Sequence, residues 1–346
     1  MDLTLNEEQQ ALRAGVSEYL ASRWSADRLR AAAGDSDADS TDAGAAGPPG
    51  RAAEAETLAG WKELAELGVF GLLAPEAAGG MGLAMADAAI VLEELGAALV
   101  PGPVVSSILA ASLIRGAAAG DAVVTVLDTG AGVPLVEHPG IATDLVVIDD
   151  DGLFLQPMNE VTATPVEVPV DPLTPVAVVA GALAGPGWVR IGTEADAARW
   201  RLRGAVLTAA LQVGVARGGL DLAVRYAKER EQFGRVVGSF QAVKHLLAES
   251  LARVELARAA VLSAAVIADD PEAGDLAEAA AAAKLLADAA ATAGGRTCIQ
   301  VHGGMGFTWE VLAHLYLKRA WVQETAFGTA DANAFFLAGR LAAGIS

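Results

Sequence analysis

Apolar side chains recur at helical spacing in the first third of the chain. Leu12, Val16 and Leu20 lie on one stripe, which predicts a helix over residues 1–32. Residues 34–50, GDSDADSTDAGAAGPPG, are acidic and rich in Gly and Pro, so we expect a flexible surface loop there. The same helical spacing predicts three more helices before residue 120, over 54–68, 84–99 and 103–117.

The texture of the sequence changes near residue 121. Short runs such as DAVVTVLD and DLVVIDD alternate with Gly, Pro and Asp up to residue 192, which predicts a small β domain. From residue 194 an Ala-rich helical pattern returns, and it predicts long helices over 194–229, 239–269, 273–301 and 310–340. Four glycines fall within the stretch 204–220, and they indicate close packing inside a C-terminal helical bundle.

This pattern predicts an α+β fold with three domains. A helical domain covers residues 1–118, a small β domain covers 119–193, and a four-helix domain covers 194–346. Few enzyme architectures place a short β domain between two helical domains, so the order itself restricts the choice of fold.

Composition and charge exclude several kinds of function. The net charge of −19 excludes a generally nucleic-acid-binding surface and argues against a polybasic membrane anchor. Cys298 is the single cysteine, and the four histidines show no metal-binding spacing, so no metal site is predicted. The sequence has neither a secretory signal nor an apolar run of about 20 residues. We therefore expect a soluble cytoplasmic protein without nucleic-acid or membrane partners.

A local excess of basic residues stands out against this acidic background. Residues 199–260 contain 11 Lys and Arg and 5 Asp and Glu, a local charge of 11 − 5 = +6. The motif Arg-Glu-Gln-Phe-Gly at 230–234 lies in this stretch, just before a turn and a new helix. A basic patch beside a helix start suits an anionic phosphate. A solvated basic helix face is the alternative.

A second motif, Gln-x-x-Gly-Gly-x-Gly, covers residues 300–306. Closely spaced glycines allow a backbone to approach a ligand or another chain, and Gln300 offers an amide donor and acceptor. By itself such a loop is weak evidence, since many Gly-rich helix ends bind nothing.

Together these motifs resemble those of the acyl-CoA dehydrogenase family. The resemblance rests on REQFG at 230–234, Phe-Gln at 240–241, and QVHGGMG at 300–306. Two N-terminal stretches, PEAAGGMG at 75–82 and EELG at 93–96, look like the same family. The predicted order of helical, β and helical domains is similar to the family's fold, so the resemblance covers nearly the whole chain.

The resemblance implies α,β-dehydrogenation of an acyl-CoA thioester. In the family a carboxylate removes the α-proton and the β-hydride passes to FAD, which yields a 2-enoyl-CoA. Electrons then leave through an electron-transfer flavoprotein. His302 is left with two roles, contact with adenine or contact with a partner chain. The resemblance also implies that six residues bind FAD across a subunit interface, namely Arg230, Gln232, Phe233, Gln300, Gly303 and Gly304.

The sequence departs from the family at the catalytic base. The usual Glu before Gly-Thr near the C-terminus is matched here by Phe327, and a second base position used by a minority of members is matched by Gly204. Glu324, three residues before Phe327, is a weak candidate for a displaced base. The β domain is shorter than usual and lacks the family's Thr-Glu-Pro and Trp-Ile-Thr runs, which hold the flavin.

Three functions are therefore open. In the first, the chain is a subunit without a base that completes the FAD site of a base-bearing partner in a heterotetramer, as in heteromeric dehydrogenases that act on steroid side chains. In the second, it is a self-sufficient homo-oligomeric enzyme with a displaced base. In the third, it is a flavin-free acyl-thioester-binding or scaffold protein.

Overall fold

The structure is a computed structural model that describes residues 3–34, 51–180 and 187–344. The loop predicted over 34–50 lies outside the described residues except for Gly34. Ten α-helices form in the described part of the chain: α1 (Glu7–Arg23), α2 (Ala26–Ala32), α3 (Arg51–Glu66), α4 (Met85–Ala97), α5 (Val104–Ala110), α6 (Glu194–Glu229), α7 (Gln241–Asp269), α8 (Leu276–His302), α9 (Ala313–Glu324) and α10 (Ala330–Gly344).

The β-strands lie where the short valine-rich runs predicted them. A four-stranded sheet has the order β1-β3-β4-β7, with β1 parallel to β3 and the other pairs antiparallel. A three-stranded antiparallel sheet has the order β2-β6-β5. The seven strands are β1 (Val124–Asp128), β2 (Leu135–Glu137), β3 (Asp144–Asp149), β4 (Gly152–Pro157), β5 (Ala163–Pro165), β6 (Val176–Val179) and β7 (Val189–Gly192).

The described residues form two compact units. The first contains those of 1–26, 89–100 and 205–346, and the second contains those of 27–88 and 101–204. The division into three domains by chain order stays a prediction.

One buried cluster of the second unit lies between its two sheets. Leu127 and Val147 from the larger sheet share one buried cluster with Val136 and Ala177 from the smaller sheet. Alternate strand residues point to opposite faces, so each valine-rich run contributes every second side chain to this core.

In the first unit, α4 and α6 touch backbone to backbone. An added Cβ at Gly214 would collide with the Glu93 carbonyl oxygen and lie 2.8 Å from the nitrogen of Ala97. An added Cβ at Gly96 would collide with the Leu211 carbonyl oxygen in the same way. The glycines of 204–220 were predicted to pack within the C-terminal bundle, but Gly214 meets α4 instead.

Two carboxylates of α4 are surrounded by arginines at this contact. Arg217 of α6 lies 2.9 Å from the Glu93 carboxylate and 2.8 Å from that of Glu94. Arg258 of α7 donates to Glu93 at 2.9 Å, and Arg13 of α1 donates to Glu94 at 2.8 Å. Burial would raise the pKa of Glu93, but the hydrogen bond and charge of Arg258, aided by the other arginines, lower it overall. The cluster ties four helices together.

Three predicted helices end earlier or break where the sequence pattern continues. The single helix predicted over 310–340 is wrong, because the chain leaves α9 at Glu324 and turns before α10. Phe327 and Gly328 have φ of 53° and 108° in this turn, which no α-helix accommodates. The helix predicted over 1–32 is interrupted at Trp24 and Ser25, and the one predicted over 103–117 ends at Ala110.

One helix, α6, is long and apolar enough to cross a membrane by length and composition. Yet 78% of its most apolar stretch is buried within the protein, as is usual for a core helix of a soluble protein.

Replacing Gly214 with Ala tests the backbone contact of α4 and α6. We expect Gly214→Ala to lower the free energy of unfolding by about 1–3 kcal/mol, because the added methyl group forces the two helices apart. Urea denaturation measures the change. The control is Gly15→Ala in α1, where no atom lies within 4 Å of an added Cβ. That variant should gain roughly 0.5–1 kcal/mol from helix propensity. Equal effects of both substitutions would contradict the contact.

Candidate functional site

The REQFG motif forms a tight hairpin directly after α6. Strands β8 (Glu231–Gln232) and β9 (Arg235–Val236) pair antiparallel across a two-residue turn. Phe233 and Gly234 have φ of 55° and 75°, the positive values that a primed hairpin turn requires. A bulky residue such as Phe is strained in this region, so the hairpin holds Phe233 in a conformation it does not favour.

Phe233 projects from the hairpin into solvent. The residue is 90% exposed, and its ring forms a T-shaped pair with Phe240, with the centroids 6.0 Å apart. The Arg235 guanidinium lies 4.1 Å from the Phe240 centroid on the same aromatic pair. The hairpin therefore presents an aromatic ring beside a positive charge.

Five basic residues in and near the hairpin make no ion pair with the residues that the structure describes. Each is exposed, and they are Arg225, Lys228, Arg230, Arg235 and Lys244. Gln232 turns its amide back to donate to the Glu231 carbonyl at 2.7 Å, so its side chain stays next to the hairpin. The charge in this region is available to an external anion.

The glycine motif forms the end of α8. Gly303 has φ of 63°, which explains a glycine at that position. Gly306 packs against α8, since an added Cβ would lie 2.7 Å from the Ile299 carbonyl oxygen. Neither a positive φ nor close packing explains the glycine at position 304, because Gly304 has no positive φ and no atom lies within 4 Å of an added Cβ there. Gln300 is exposed on the last turn of the helix. The surface at Gly303 and Gly304 is thus open to close approach from outside the chain.

The structure brings the two motifs together through Tyr226 and His302. Their rings stack with centroids 4.2 Å apart, and the Tyr226 hydroxyl lies 3.9 Å from the Met305 sulfur. His302 is buried, and its Nδ1 lies 2.8 Å from the Cys298 carbonyl oxygen, so its ring helps to pack the motif. Contact of His302 with adenine or with a partner chain stays a prediction. Burial lowers the pKa of His302 and raises that of Cys298 to about 12, so both stay neutral at pH 7. Sequence reasoning missed Tyr226, although it lies one helical turn before Arg230.

No carboxylate occupies either base position. Phe327 is half-buried in the turn between α9 and α10, and Gly204 is buried within α6. Glu324 is the last residue of α9 and is half-buried. Its backbone carbonyl accepts a hydrogen bond from Lys284 at 3.3 Å. Whether its side chain acts as a displaced base stays a hypothesis.

The last helix, α10, has an exposed apolar surface. None of its described side chains is buried. The large apolar residues Phe335 and Leu341 are 79% and 68% exposed. A short helix gains most of its stability from packing an apolar face. The exposed apolar side chains of α10 have no such packing among the described residues.

Comparison with known proteins identifies the fold and its class. The N-terminal domain description of acyl-CoA dehydrogenases matches residues 6–119, and the C-terminal domain description matches residues 196–341. Acyl-CoA dehydrogenase IpdE2 of Mycobacterium tuberculosis is 38% identical over 268 residues, which are 75% of this chain and 79% of IpdE2. Acyl-CoA dehydrogenase FadE34 of the same organism is 38% identical over 277 residues, which are 74% of this chain but 38% of FadE34.

Two solved structures share the whole fold. The Tcur3481-Tcur3483 steroid ACAD G363A variant superposes with a TM-score of 0.80 at 25% identity. The ChsE4-ChsE5 complex from Mycobacterium tuberculosis superposes with a TM-score of 0.79 at 23% identity. Each match covers 99% of both chains.

The fold and the two matched domains define a flavoprotein oxidoreductase. The chain belongs to the acyl-CoA dehydrogenase family, whose cofactor is FAD. The predicted family and α+β fold class are confirmed.

Two glycines of the motif allow a test that separates a role in packing from a role in contacts with another molecule. We expect Gly306→Ala to lower the free energy of unfolding by about 1–3 kcal/mol, because its methyl group meets the Ile299 carbonyl. Gly304→Ala should change it by less than about 0.5 kcal/mol, since the space around it is open. Thermal denaturation of the isolated chain measures both. A large loss for Gly304→Ala would show that this glycine is needed for folding.

Proposed function

We propose that this chain is a subunit without a catalytic base in a heteromeric, FAD-dependent acyl-CoA dehydrogenase. The observation that carries the proposal is the joined, outward-facing surface of the hairpin at 230–236 and the glycine motif at 300–306. Its charges and its open glycine have no partner among the described residues. The same chain has Phe327 and Gly204 where the family carries its base.

The exposed residues fit the phosphate and adenosine portion of FAD bound to a neighbouring subunit. Arg230 would pair with the pyrophosphate, and the amides of Gln232 and Gln300 would hydrogen-bond to polar atoms of the cofactor. Phe233 would cover an apolar face, and the backbone at Gly303 and Gly304 would allow close approach. All of these residues belong to one compact unit of the chain.

The base-bearing partner would supply the remaining chemistry. FAD, when bound, would supply the acceptor for the hydride from the β-carbon of the acyl-CoA thioester, and an electron-transfer flavoprotein would then take the two electrons. The α-proton needs a carboxylate near the thioester, which the partner would provide. The contribution of this chain is to hold the cofactor and to exclude water from its phosphate end.

The exposed face of α10 supports assembly with another subunit. In stable oligomers, large apolar side chains on the surface of a subunit are buried at the interfaces. Phe335 and Leu341 are side chains of this kind, and both are exposed in the isolated chain. The Tcur3481-Tcur3483 steroid ACAD and the ChsE4-ChsE5 complex have the same fold, so we propose a mixed tetramer that acts on a steroid side-chain thioester.

A self-sufficient enzyme is the second candidate, and the position of Glu324 beside the Phe327 turn favours it. In that case Glu324→Gln would abolish turnover by the chain alone and leave flavin bound. In the mixed tetramer the same variant would keep full activity.

Native mass and flavin absorbance of the chain, alone and co-expressed with a base-bearing family member, test the proposal. We expect a colourless chain alone and a yellow mixed tetramer with one FAD per unlike pair. A yellow homo-oligomer with one FAD per protomer would replace the proposal with the self-sufficient enzyme. A chain that stays colourless with every partner would be a flavin-free acyl-thioester-binding or scaffold protein.

Arg230→Met tests the contact with the cofactor. Loss of a charge-assisted hydrogen bond removes roughly 1.5–3 kcal/mol, so FAD should bind the mixed complex about ten- to a hundredfold more weakly. Equilibrium dialysis against free FAD measures the affinity. The matched control is Arg115→Met, an exposed arginine in the other unit, which should leave FAD affinity unchanged. Unchanged affinity in both variants would remove Arg230 from the site.

A further inference from the structure

Lys284 is buried in the middle of the helical unit. Its side chain has an exposed fraction of 0%, which is rare for a lysine. The ammonium lies 2.8 and 2.9 Å from the two carboxylate oxygens of Asp288, one turn further along α8. Gln212 of α6 donates its side-chain amide to the same carboxylate. The cluster therefore connects α6 and α8 inside the core.

The remaining hydrogen bonds of the ammonium go to the end of α9. Lys284 donates to the Gln323 carbonyl at 3.1 Å and to the Glu324 carbonyl at 3.3 Å. The last carbonyls of a helix have no partners within the helix and carry its negative dipole end. A buried cation from α8 thus caps α9 at the residue where the chain leaves it.

Burying the charged groups of this cluster carries a desolvation cost that opposes its contribution to stability. Burial lowers the pKa of Lys284 despite the charge of Asp288, and it raises the pKa of Asp288 to about 6 despite the charge of Lys284. Desolvation is the largest cause of both shifts, and the charge of Glu324 also raises the pKa of each group. Two buried amide oxygens, Gln212 Oε1 and Gln323 Oε1, also accept no hydrogen bond from the described residues. Apolar residues of similar volume are often no less stable than a buried ion pair, so stability alone does not account for the cluster and a second role is open.

The segment after α9 indicates that role. The turn with positive φ at Phe327 and Gly328 begins three residues after Glu324, the second capped residue, and α10 begins directly behind it. Near the other end of α10, Arg340 pairs with Asp275 at 2.8 Å and Glu278 at 2.6 Å at the start of α8. No residue of α10 is fully buried, although the helix packs along α8 with Asn333 and Leu337 half-buried. These polar attachments and the turn therefore contribute to its direction together with the contact with α8.

We propose that Lys284 is a positioning residue for the subunit interface. Its ammonium fixes the end of α9, the end of α9 fixes the turn, and the turn sets the direction in which α10 presents its exposed apolar face to the partner. The coupling to assembly rests on the proposed function, whereas the fixing of the turn does not.

The test uses the full chain and a neutral double variant. Lys284→Met alone leaves Asp288 buried without a counter-ion and can fail to fold. Lys284→Met/Asp288→Asn removes both charges, keeps the volume of the lysine stem and leaves an acceptor for Gln212. The matched control is Asp27→Asn/Arg30→Met, which removes one ion pair from α2 in the other unit.

Hydrogen exchange of the peptide 325–332 in the chain alone tests the first step. We expect exchange to be about tenfold faster in Lys284→Met/Asp288→Asn, with little change in Tm, because the turn loses its cap but the core keeps its packing. The control should exchange as the native chain does. Unchanged exchange in the double variant would overturn the proposal.

The dissociation constant of the mixed tetramer tests the second step. Sedimentation of the co-expressed pair should show a dissociation constant at least about tenfold higher for the double variant. Faster exchange with unchanged assembly would overturn the link to the interface. If no base-bearing partner assembles with the native chain, the proposed function fails, but the exchange experiment still decides whether Lys284 fixes the turn.

Discussion

The contact between α4 and α6 is the constraint on which the helical unit depends. Two helices approach to backbone distance at Gly96 and Gly214, and such closeness is possible only where neither helix has a side chain. The same contact buries Glu93 and Glu94, which need counter-ions once they leave water. Arginines from α1, α6 and α7 provide them, so the pairing of two helices determines the positions of two more.

Fixing α6 in this way has consequences at its C-terminal end. The helix is continuous from Glu194 to Glu229, so a rigid body carries the hairpin at 230–236. Tyr226, on the last turn, stacks on His302 and brings the glycine motif of α8 to the hairpin. The two motifs are 66 residues apart in the chain, counted between Gly234 and Gln300 (300 − 234), yet they form one surface because both end rigid helices. A site built on helix ends gains precision from the bundle while staying open to another molecule.

The sequence predicted the parts of the fold that periodicity encodes. The bounds of α6 and the span of the β-strands followed from spacing and texture alone, because long helices and short valine-rich runs leave strong patterns. The break at Phe327 was missed, since Phe and Gly continue an apolar pattern and only the backbone angles reveal the turn. Lys284 was missed for a related reason. A lysine within an Ala-rich helix predicts a solvated side chain, and its burial depends on Asp288 one turn away and on the end of a distant helix. The proposed FAD-binding residues came from the family resemblance, and the geometry adds which of them face outward.

A strained backbone conformation is better evidence that a residue binds another molecule than the exposure of its side chain is. Arginines and lysines on a surface are well solvated, and their presence near the hairpin needs no ligand to sustain it. Phe233 differs, because its left-handed backbone costs about 1–3 kcal/mol and its exposed ring gains nothing from burial in this chain. No contact of Phe233 with the described residues buries its ring and so offsets this free-energy cost. By contrast, Phe327 and Gly204 place no charge at positions that are half-buried and buried, where a carboxylate would be costly. Under the proposed function, FAD bound to the partner would offset the conformational cost of Phe233, and the base would belong to the partner as well.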